Sequence, residues 1–176
     1  FGVGYDSVDV DACTDADVLL TITAGGVNYS VAEAVMTFML AISHNLRIKD
    51  RLVRNGAWDE RSAYMGSELR DRTLGIIGLG GIGTALSGMV NGFRMKPVIA
   101  FDPFLPKEQA AEIGVELVDL ETLMQTADFV SINCPLTNQT RDLIGQNELA
   151  LMKPTAYLIN TARGGIVNEA ALLDVL

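Results

Sequence analysis

The stretch from Leu74 to Gly83 limits the possible folds of this chain more than any other part of its sequence. It begins with the apolar run Leu74–Ile77, which is typical of a short buried strand. A GxGxxG pattern follows at once, and a helix is predicted from about residue 82 to residue 91. A strand, a glycine-rich turn and a helix in this order predict one unit of a parallel sheet that is covered by helices.

The same alternation of strand and helix continues to the end of the chain. Further apolar runs predict strands at residues 97–101, 116–118, 129–133 and 156–160. Helices are predicted at residues 107–113, 120–125, 146–151 and 169–176. Strands that read as solid apolar runs are buried on both faces of a sheet. We therefore expect an α/β fold with a doubly wound parallel sheet of the Rossmann type.

Three more elements are predicted before the glycine pattern. The apolar, β-branched run at residues 18–23 is expected to form a strand. Ser30 stands three residues before Glu33, which is the spacing of a capping box, and it predicts the start of a largely buried helix at residues 31–42. A more exposed, charged helix is expected at residues 46–55.

Composition disfavours several classes of function. The chain has 13 Lys and Arg residues against 22 Asp and Glu residues, a net charge of −9, and this disfavours binding to nucleic acid. Two distant cysteines and one histidine suggest neither a disulfide framework nor a zinc site. No apolar run is long enough to span a membrane and no signal segment opens the chain, so we expect a cytoplasmic protein without a membrane partner.

Each glycine of the pattern has its own physical role in binding a dinucleotide. Gly78 permits the tight turn, Gly80 lets the backbone approach a pyrophosphate, and Gly83 lets the helix pack closely against the strand. The helix N-terminus then offers free N–H groups and a partial positive charge to the phosphates. A glycine-rich turn between a strand and a helix can also be purely structural, so this pattern alone is a weak signal.

Asp102 makes the signal stronger. It ends the second predicted strand, 19 residues after Gly83 (102 − 83), close to the spacing of about 20 residues that dinucleotide-binding chains use. A carboxylate at this position accepts hydrogen bonds from the ribose hydroxyls of NAD and repels the extra phosphate of NADP, and no Arg or Lys stands between it and Lys107. NAD is therefore the expected cofactor. Asp102 could also be a solvated residue before the Pro103 turn.

Several motifs in one order resemble the D-isomer-specific 2-hydroxyacid dehydrogenases. They are GVGYDSVDVDA at the start, then SVAE, TLGIIGLGGIG, VIAFDP, CPLT, MKP and NTARGGIVNEAAL. The resemblance covers almost the whole chain. It implies an NAD-dependent oxidoreductase that transfers a hydride between NAD(H) and a small 2-hydroxy or 2-oxo acid.

The resemblance assigns a catalytic role to Arg163, which would hold the substrate's carboxylate and polarise the carbonyl that receives the hydride. A guanidinium suits this role because it is always charged and presents its donors in a fixed fork. Backbone N–H groups of Val3 and Gly4 would help to bind the substrate carboxylate. Alternatively, an arginine at a strand end can pair with an aspartate or glutamate for a purely structural purpose.

The resemblance also implies cofactor contacts at the glycine pattern and at the later strand ends. The implied cofactor-binding residues are Gly78, Gly80, Gly81, Ile82, Gly83, Asp102, Cys134, Pro135, Thr161, Ala162 and Arg163. Cys134 would act through its backbone and its small size, and it reads equally well as a small buried hydrophobic residue. No metal ion is expected.

The sequence also departs from the pattern of the family. Gly81 stands where Arg or His is common, Asn133 where His is common, and Ser7 where Asn is common. Only 13 residues follow Arg163 (176 − 163), so the Glu and the His that complete the family's site are absent from the chain. His44 precedes Arg163 by 119 residues (163 − 44), and we expect it to be structural. We therefore expect the chain to be a truncated fragment that is inactive alone.

The domain organisation follows from the same resemblance. Residues 1–26 are expected to be the end of a substrate-binding lobe, and residues 27–176 a C-terminally truncated NAD-binding domain. A homodimer is expected through the helix at residues 31–42. Two rival functions share parts of the pattern. A corepressor of the C-terminal-binding-protein type would sense NAD without catalysis, and an S-adenosylhomocysteine hydrolase would share the glycine pattern but not NTARGG.

Overall fold

The computed structural model describes residues 2–176 and contains one five-stranded sheet with the strand order β3-β2-β1-β4-β5. Every pairing between neighbouring strands is parallel. The strands are β1 (Leu74–Ile77), β2 (Val98–Phe101), β3 (Val115–Leu117), β4 (Phe129–Ile132) and β5 (Tyr157–Asn160). The chain runs from β1 outward to β3 and then returns to the other side of β1. The predicted doubly wound parallel sheet is confirmed.

Eight α-helices and two 3₁₀ helices surround or precede the sheet in the described part of the chain. The α-helices are α1 (Val10–Asp15), α2 (Asn28–Ser43), α3 (Leu46–Arg54), α4 (Gly81–Met89), α5 (Lys107–Glu112), α6 (Leu120–Thr126), α7 (Gln146–Leu151) and α8 (Glu169–Val175). The 3₁₀ helices are Trp58–Tyr64 and Val90–Phe93. Within residues 2–176, no helix combines the length and the apolar character that crossing a membrane requires.

Two hydrophobic cores cover the two faces of the sheet. Side chains of successive strand residues point to opposite faces, so Ile76 joins the core under α2 and α4 whereas Ile77 joins the core with α6 and α7. Both side chains are at most 1% exposed. Helix α2 packs against α4 on the first face. This contact places the start of α2 beside the glycine pattern.

The strand predicted at residues 18–23 is wrong. The segment has no strand pairing with any part of the described chain, and Leu19 is 86% exposed. The segment is held by the Val18 amide, which donates to the Cys13 carbonyl, and by Thr23, whose N and Oγ1 donate to the Gly2 carbonyl. Apolar, β-branched residues favour a strand only where a sheet edge is available, and no described strand lies beside this segment.

The capping box predicted at Ser30 is also wrong. Helix α2 begins earlier, with Val27 at its N-cap, and the Ser30 hydroxyl donates back to the Val27 carbonyl at 3.1 Å. Burial of this helix is one-sided, because Ala32, Val35, Met36, Met39 and Ser43 are buried. Tyr29 is 70% exposed and Phe38 is 49% exposed. The apolar side chain of Phe38 therefore lies on the open face of α2, outside its buried residues.

Candidate functional site

The candidate site lies where the strand order reverses. From β1 the chain leads to β2 on one side, and it returns to place β4 on the other side. In open parallel sheets of this kind, ligands bind in the crevice at the carboxyl ends of the strands on both sides of this reversal. The loops after β1, β2, β4 and β5 meet there, and they carry most of the site residues predicted from the sequence.

The turn after β1 accepts only glycine at two positions. Gly78 has φ +91°, and an added Cβ would lie 2.8 Å from the Cys134 backbone nitrogen. At Gly83 an added Cβ would lie 2.5 Å from the Gly78 carbonyl oxygen and 3.1 Å from Ile76 Cγ2. The first glycine thus makes the turn beside β4, and the last one lets α4 pack onto β1. Both roles have the geometry expected from the sequence.

The N-terminus of α4 offers free backbone donors. Gly80 is its N-cap residue, and no heavy atom lies within 4 Å of a Cβ added there, so the space in front of it is open. In the described chain, the amides of Gly80, Gly81 and Ile82 donate to no protein acceptor. Such amides at a helix start, together with the helix dipole, bind phosphate groups.

Asp102 follows β2 and faces the glycine turn. Its Oδ2 accepts a hydrogen bond from the Leu79 amide at 2.9 Å, and its Oδ1 accepts one from the Phe104 amide at 3.0 Å. Asp102 therefore braces the turn, a role that sequence reasoning missed. A carboxylate has about four acceptor positions, so two remain for ribose hydroxyls.

The loop after β4 forms the wall beside the glycine turn. The Asn133 amide donates to the Ile77 carbonyl at 2.8 Å, which holds this loop against the end of β1. Burial raises the pKa of the Cys134 thiol, and the nearby Asp102 carboxylate raises it further. The thiol is therefore protonated at neutral pH and is a poor nucleophile. Pro135 follows as an exposed residue.

The loop after β5 is held by the Asn160 carboxamide. Its Oδ1 accepts a hydrogen bond from the Ala162 amide at 3.0 Å, and its Nδ2 donates to the Arg163 carbonyl at 2.8 Å. Asn160 was quoted in the sequence motif but was given no role there. Thr161 Oγ1 is buried and has no hydrogen-bond partner among the described residues. A buried hydroxyl without a partner at a strand end is a position where a ligand can bind.

Arg163 joins the loop after β5 to the N-terminal segment. Its Nε donates to Asp6 Oδ1 at 2.9 Å, and its Nη1 donates to the Ala162 carbonyl at 2.9 Å. Its Nη2 lies so close to Gly4 that no side chain fits at that position. The Arg163 hydrogen bond holds the pKa of Asp6 below its ordinary value, so Asp6 is ionised at neutral pH. Val3, which precedes Gly4 in the chain, is 37% exposed.

Asp6 was missed as a site residue, because a partner 157 positions away has no local signal in the sequence. An arginine paired with an aspartate also fits the alternative given above, in which Arg163 has a purely structural role. A guanidinium has five N–H donors, and two of them are used by Asp6 and Ala162, so three remain free for a substrate (5 − 2). The geometry is therefore compatible with both roles.

His44 is remote from this site. It is the exposed C-cap residue of α2, whose first residue, Asn28, lies beside Gly81. Helix α2 has 16 residues, so at about 1.5 Å per residue its two ends are roughly 24 Å apart. Among residues 2–176, no group of three or more His, Cys, Asp or Glu side chains is arranged to hold a metal ion.

The residues at this end of the sheet fit a dinucleotide. Free amides and open space at the start of α4 suit a pyrophosphate, and Asp102 lies one strand away, where a ribose would extend. The unpaired Thr161 hydroxyl lies at the end of β5 on the opposite side of the reversal. A ligand that spans these points must be long and must carry phosphates near its middle.

Comparison with known proteins supports a dinucleotide-binding domain. The model of the D-isomer specific 2-hydroxyacid dehydrogenase family, NAD binding domain, matches residues 36–176. D-3-phosphoglycerate dehydrogenase of Archaeoglobus fulgidus is 41% identical over 175 residues, which are 99% of this chain and 33% of that protein. Glyoxylate reductase of Thermococcus litoralis is 38% identical, and the match covers 100% of this chain and 55% of that protein.

A solved structure shows the same fold with a bound cofactor. D-lactate dehydrogenase from Aquifex aeolicus, crystallised with NAD and lactic acid, has a TM-score of 0.87 at 33% identity over 98% of this chain and 51% of that chain. The present chain thus spans from about one third to about half of the length of these relatives. It belongs to the D-isomer-specific 2-hydroxyacid dehydrogenase family, as an NAD-binding domain, and NAD is its cofactor.

Proposed function

We propose that this chain is part of an oxidoreductase that transfers a hydride between NAD(H) and a small 2-hydroxy or 2-oxo acid. The observation that carries the proposal is the position of Arg163. It follows β5 at the same end of the sheet as the dinucleotide site, and its Nη2 lies against the Gly4 backbone. A fixed guanidinium beside a nicotinamide site suits a substrate that carries a carboxylate next to its reacting carbonyl.

Each group of the site has a proposed role in the reaction. The amides of Gly80, Gly81 and Ile82 hold the pyrophosphate, and Asp102 holds a ribose. Cys134, Pro135, Thr161 and Ala162 line the space for the nicotinamide end. NAD supplies the hydride acceptor, or the donor in its reduced form. Arg163 binds the carboxylate and draws electron density from the carbonyl oxygen, and backbone N–H groups of Val3 and Gly4 assist it.

Hydride transfer to a carbonyl also needs a proton donor. Asp6 does not supply the proton, because Arg163 keeps its pKa low and the group ionised. Burial raises the pKa of Cys134, so its thiol stays protonated near neutral pH and cannot act as the base in the oxidation direction. We propose that the Glu and His pair of the family supplies the acid and base in the complete protein.

The division into two lobes is also a proposal. Residues 1–26 would be the end of a substrate-binding lobe, and residues 27–176 would be the NAD-binding domain. The exposure of Val18 (57%) and Leu19 (86%) supports this division, because exposed apolar side chains in this segment suit an interface with more of such a lobe. The Arg163–Asp6 pair would then hold the two lobes together at the substrate.

The oligomeric state and the cellular location are also proposals, each supported by one observation. Phe38 projects from the open face of α2 with 49% of its surface exposed, which supports a homodimer through this helix. Phe38→Glu should convert the dimer to a monomer in light scattering. An unchanged dimer mass would exclude this face. Two free cysteines, Cys13 and Cys134, are compatible with the cytoplasm as the site of action.

A coupled activity and binding assay tests the proposed function. The complete protein should oxidise NADH in the presence of at least one small 2-oxo acid, and NADPH should serve much less well. The preference for NADH should amount to roughly 1–3 kcal/mol, the value of one charge-assisted ribose contact at Asp102. If NADH binds but no 2-oxo acid in a broad panel is reduced, the proposal of a dehydrogenase fails and a binding function gains support.

A further inference from the structure

The side chain of Asn28 reaches the N-terminus of α4 from a different helix. Asn28 is the first residue of α2, and α2 packs against α4. A Cβ added at Gly81 would collide with Asn28 Nδ2 and would lie 2.8 Å from Cγ and 3.0 Å from Oδ1. The carboxamide of Asn28 therefore occupies the volume in which a side chain at position 81 would begin.

The Asn28 carboxamide has no partner in the described chain. Its backbone amide bonds to the Gly25 carbonyl at 3.4 Å, but neither Nδ2 nor Oδ1 takes part in a hydrogen bond with a described residue. The residue is half-buried, so the side chain is partly withdrawn from water. It lies next to Gly81, where the amides of Gly81 and Ile82 at the start of α4 donate to no described acceptor. An unpaired amide donor held beside two unpaired backbone donors has the composition of an anion site.

We propose that Asn28 is a cofactor-binding residue whose Nδ2 donates a hydrogen bond to the pyrophosphate of NAD. The inference rests on NAD binding at the start of α4 and adds a donor that the glycine pattern does not contain. Gly81 has a second function in this account, because its missing side chain makes room for the carboxamide. The pyrophosphate is then held from two helices rather than from one.

Two substitutions at position 28 separate a ligand contact from a packing role. Asn28→Ala removes the donor, and the dissociation constant of NADH should rise about ten-fold or more, as expected for the loss of one hydrogen bond to a charged group. Asn28→Asp keeps the shape but places a carboxylate near the pyrophosphate, so it should weaken NADH binding further. A carboxylate at the start of α2 is favourable for the helix, so this variant should not lose stability.

The experiment is a fluorescence titration of the complete protein with NADH, repeated calorimetrically with ADP-ribose. Both probes carry the pyrophosphate, so both should be weakened by the same factor. Ser30→Ala is the matched control in the same helical turn, because its hydroxyl bonds only to the Val27 carbonyl, and it should leave both affinities unchanged. Thermal unfolding of each variant is measured in parallel.

Each outcome decides the inference. Wild-type affinities in both Asn28 variants would overturn it. Equal losses of affinity in the two variants, each with a lower thermal stability, would also overturn it, because they indicate a packing role alone. A loss for NADH without a loss for ADP-ribose would also overturn it, because the contact would then lie at the nicotinamide. Failure of the unmodified protein to bind NADH would refute the cofactor site itself, which is a different result from failure of Asn28.

Discussion

Gly83 couples the stability of the fold to the shape of the cofactor site, and its replacement by alanine tests this coupling. A Cβ at this position would lie 2.5 Å from the Gly78 carbonyl oxygen and 3.1 Å from Ile76 Cγ2. The first of these neighbours is backbone, so it can give way only if the glycine turn opens. The residue is buried in the contact between α4 and β1. We therefore expect Gly83→Ala to displace Gly78 and the amides that follow it.

The magnitude follows from two opposing terms. Overpacking of a well-packed contact costs about 1–3 kcal/mol, and a clash with backbone belongs at the upper end of that range. Replacing glycine by alanine inside a helix returns about 1 kcal/mol. Gly83→Ala should therefore lower the free energy of unfolding by about 2 kcal/mol and weaken NADH binding at least several-fold. Urea denaturation and NADH titration of the complete protein measure these two quantities.

Gly88 provides a matched control on the same helix. It is exposed, and no heavy atom lies within 4 Å of an added Cβ. Gly88→Ala should therefore stabilise the protein by about 0.5–1 kcal/mol and leave NADH binding unchanged. If Gly83→Ala proves as stable as Gly88→Ala and binds NADH normally, the turn does not depend on that close packing and the reasoning is refuted.

Two further predictions concern the titratable side chains of Asp128, directly before β4, and Cys134, in the candidate site. Burial opposes ionisation of Asp128, but hydrogen bonds from the Thr73 amide and from Lys153 hold its pKa below the ordinary value. Asp128 should therefore contribute stability that is full above about pH 4 and is lost as the pH falls through its lower folded pKa. Asp128→Asn should cost about 2 kcal/mol in urea denaturation at pH 7, and this cost should shrink as the pH falls below about 4. Asp50→Asn removes an exposed ion pair on α3 and should cost much less at pH 7; equal costs would refute the role of Asp128. Because burial raises the pKa of Cys134, its alkylation at pH 8 should be several-fold slower than that of an unstructured peptide thiol, and slower still with bound NADH. Mass spectrometry follows the alkylation, and a rapid reaction would contradict the buried environment of this thiol.

Elements with a strong local signal were predictable from the sequence. The bounds predicted for β1 and α7 match the structure, and β4 differs by one residue at its end. These segments are buried apolar runs or short helices between clear turns. The glycine turn was predictable as well, because Gly78 needs a positive φ and Gly83 has no room for a Cβ beside Gly78 and Ile76, and both needs arise within the strand–turn–helix unit itself.

Features that depend on tertiary contacts were not predictable. Nothing near Arg163 in the sequence indicates that Asp6 pairs with it, and nothing near Gly81 indicates that Asn28 covers it. The segment at residues 18–23 has the composition of a strand but lies beside no sheet edge in the described chain. Helix α1 was missed because its six residues, none of them buried, carry no apolar periodicity, although the Asp9 side chain caps its N-terminus by accepting from the Ala12 amide.

The most direct test of the account is the replacement of Arg163 by alanine in the complete protein. NADH affinity should stay nearly intact, since the pyrophosphate and the ribose are assigned to the α4 N-terminus and to Asp102. The kcat/KM for the 2-oxo acid should fall roughly 10²- to 10⁴-fold, and Arg163→Lys should recover only part of it, because an ammonium restores the charge without the fixed fork. Severe loss of NADH binding with normal 2-oxo acid kinetics would contradict the account and make Arg163 a cofactor or scaffold residue.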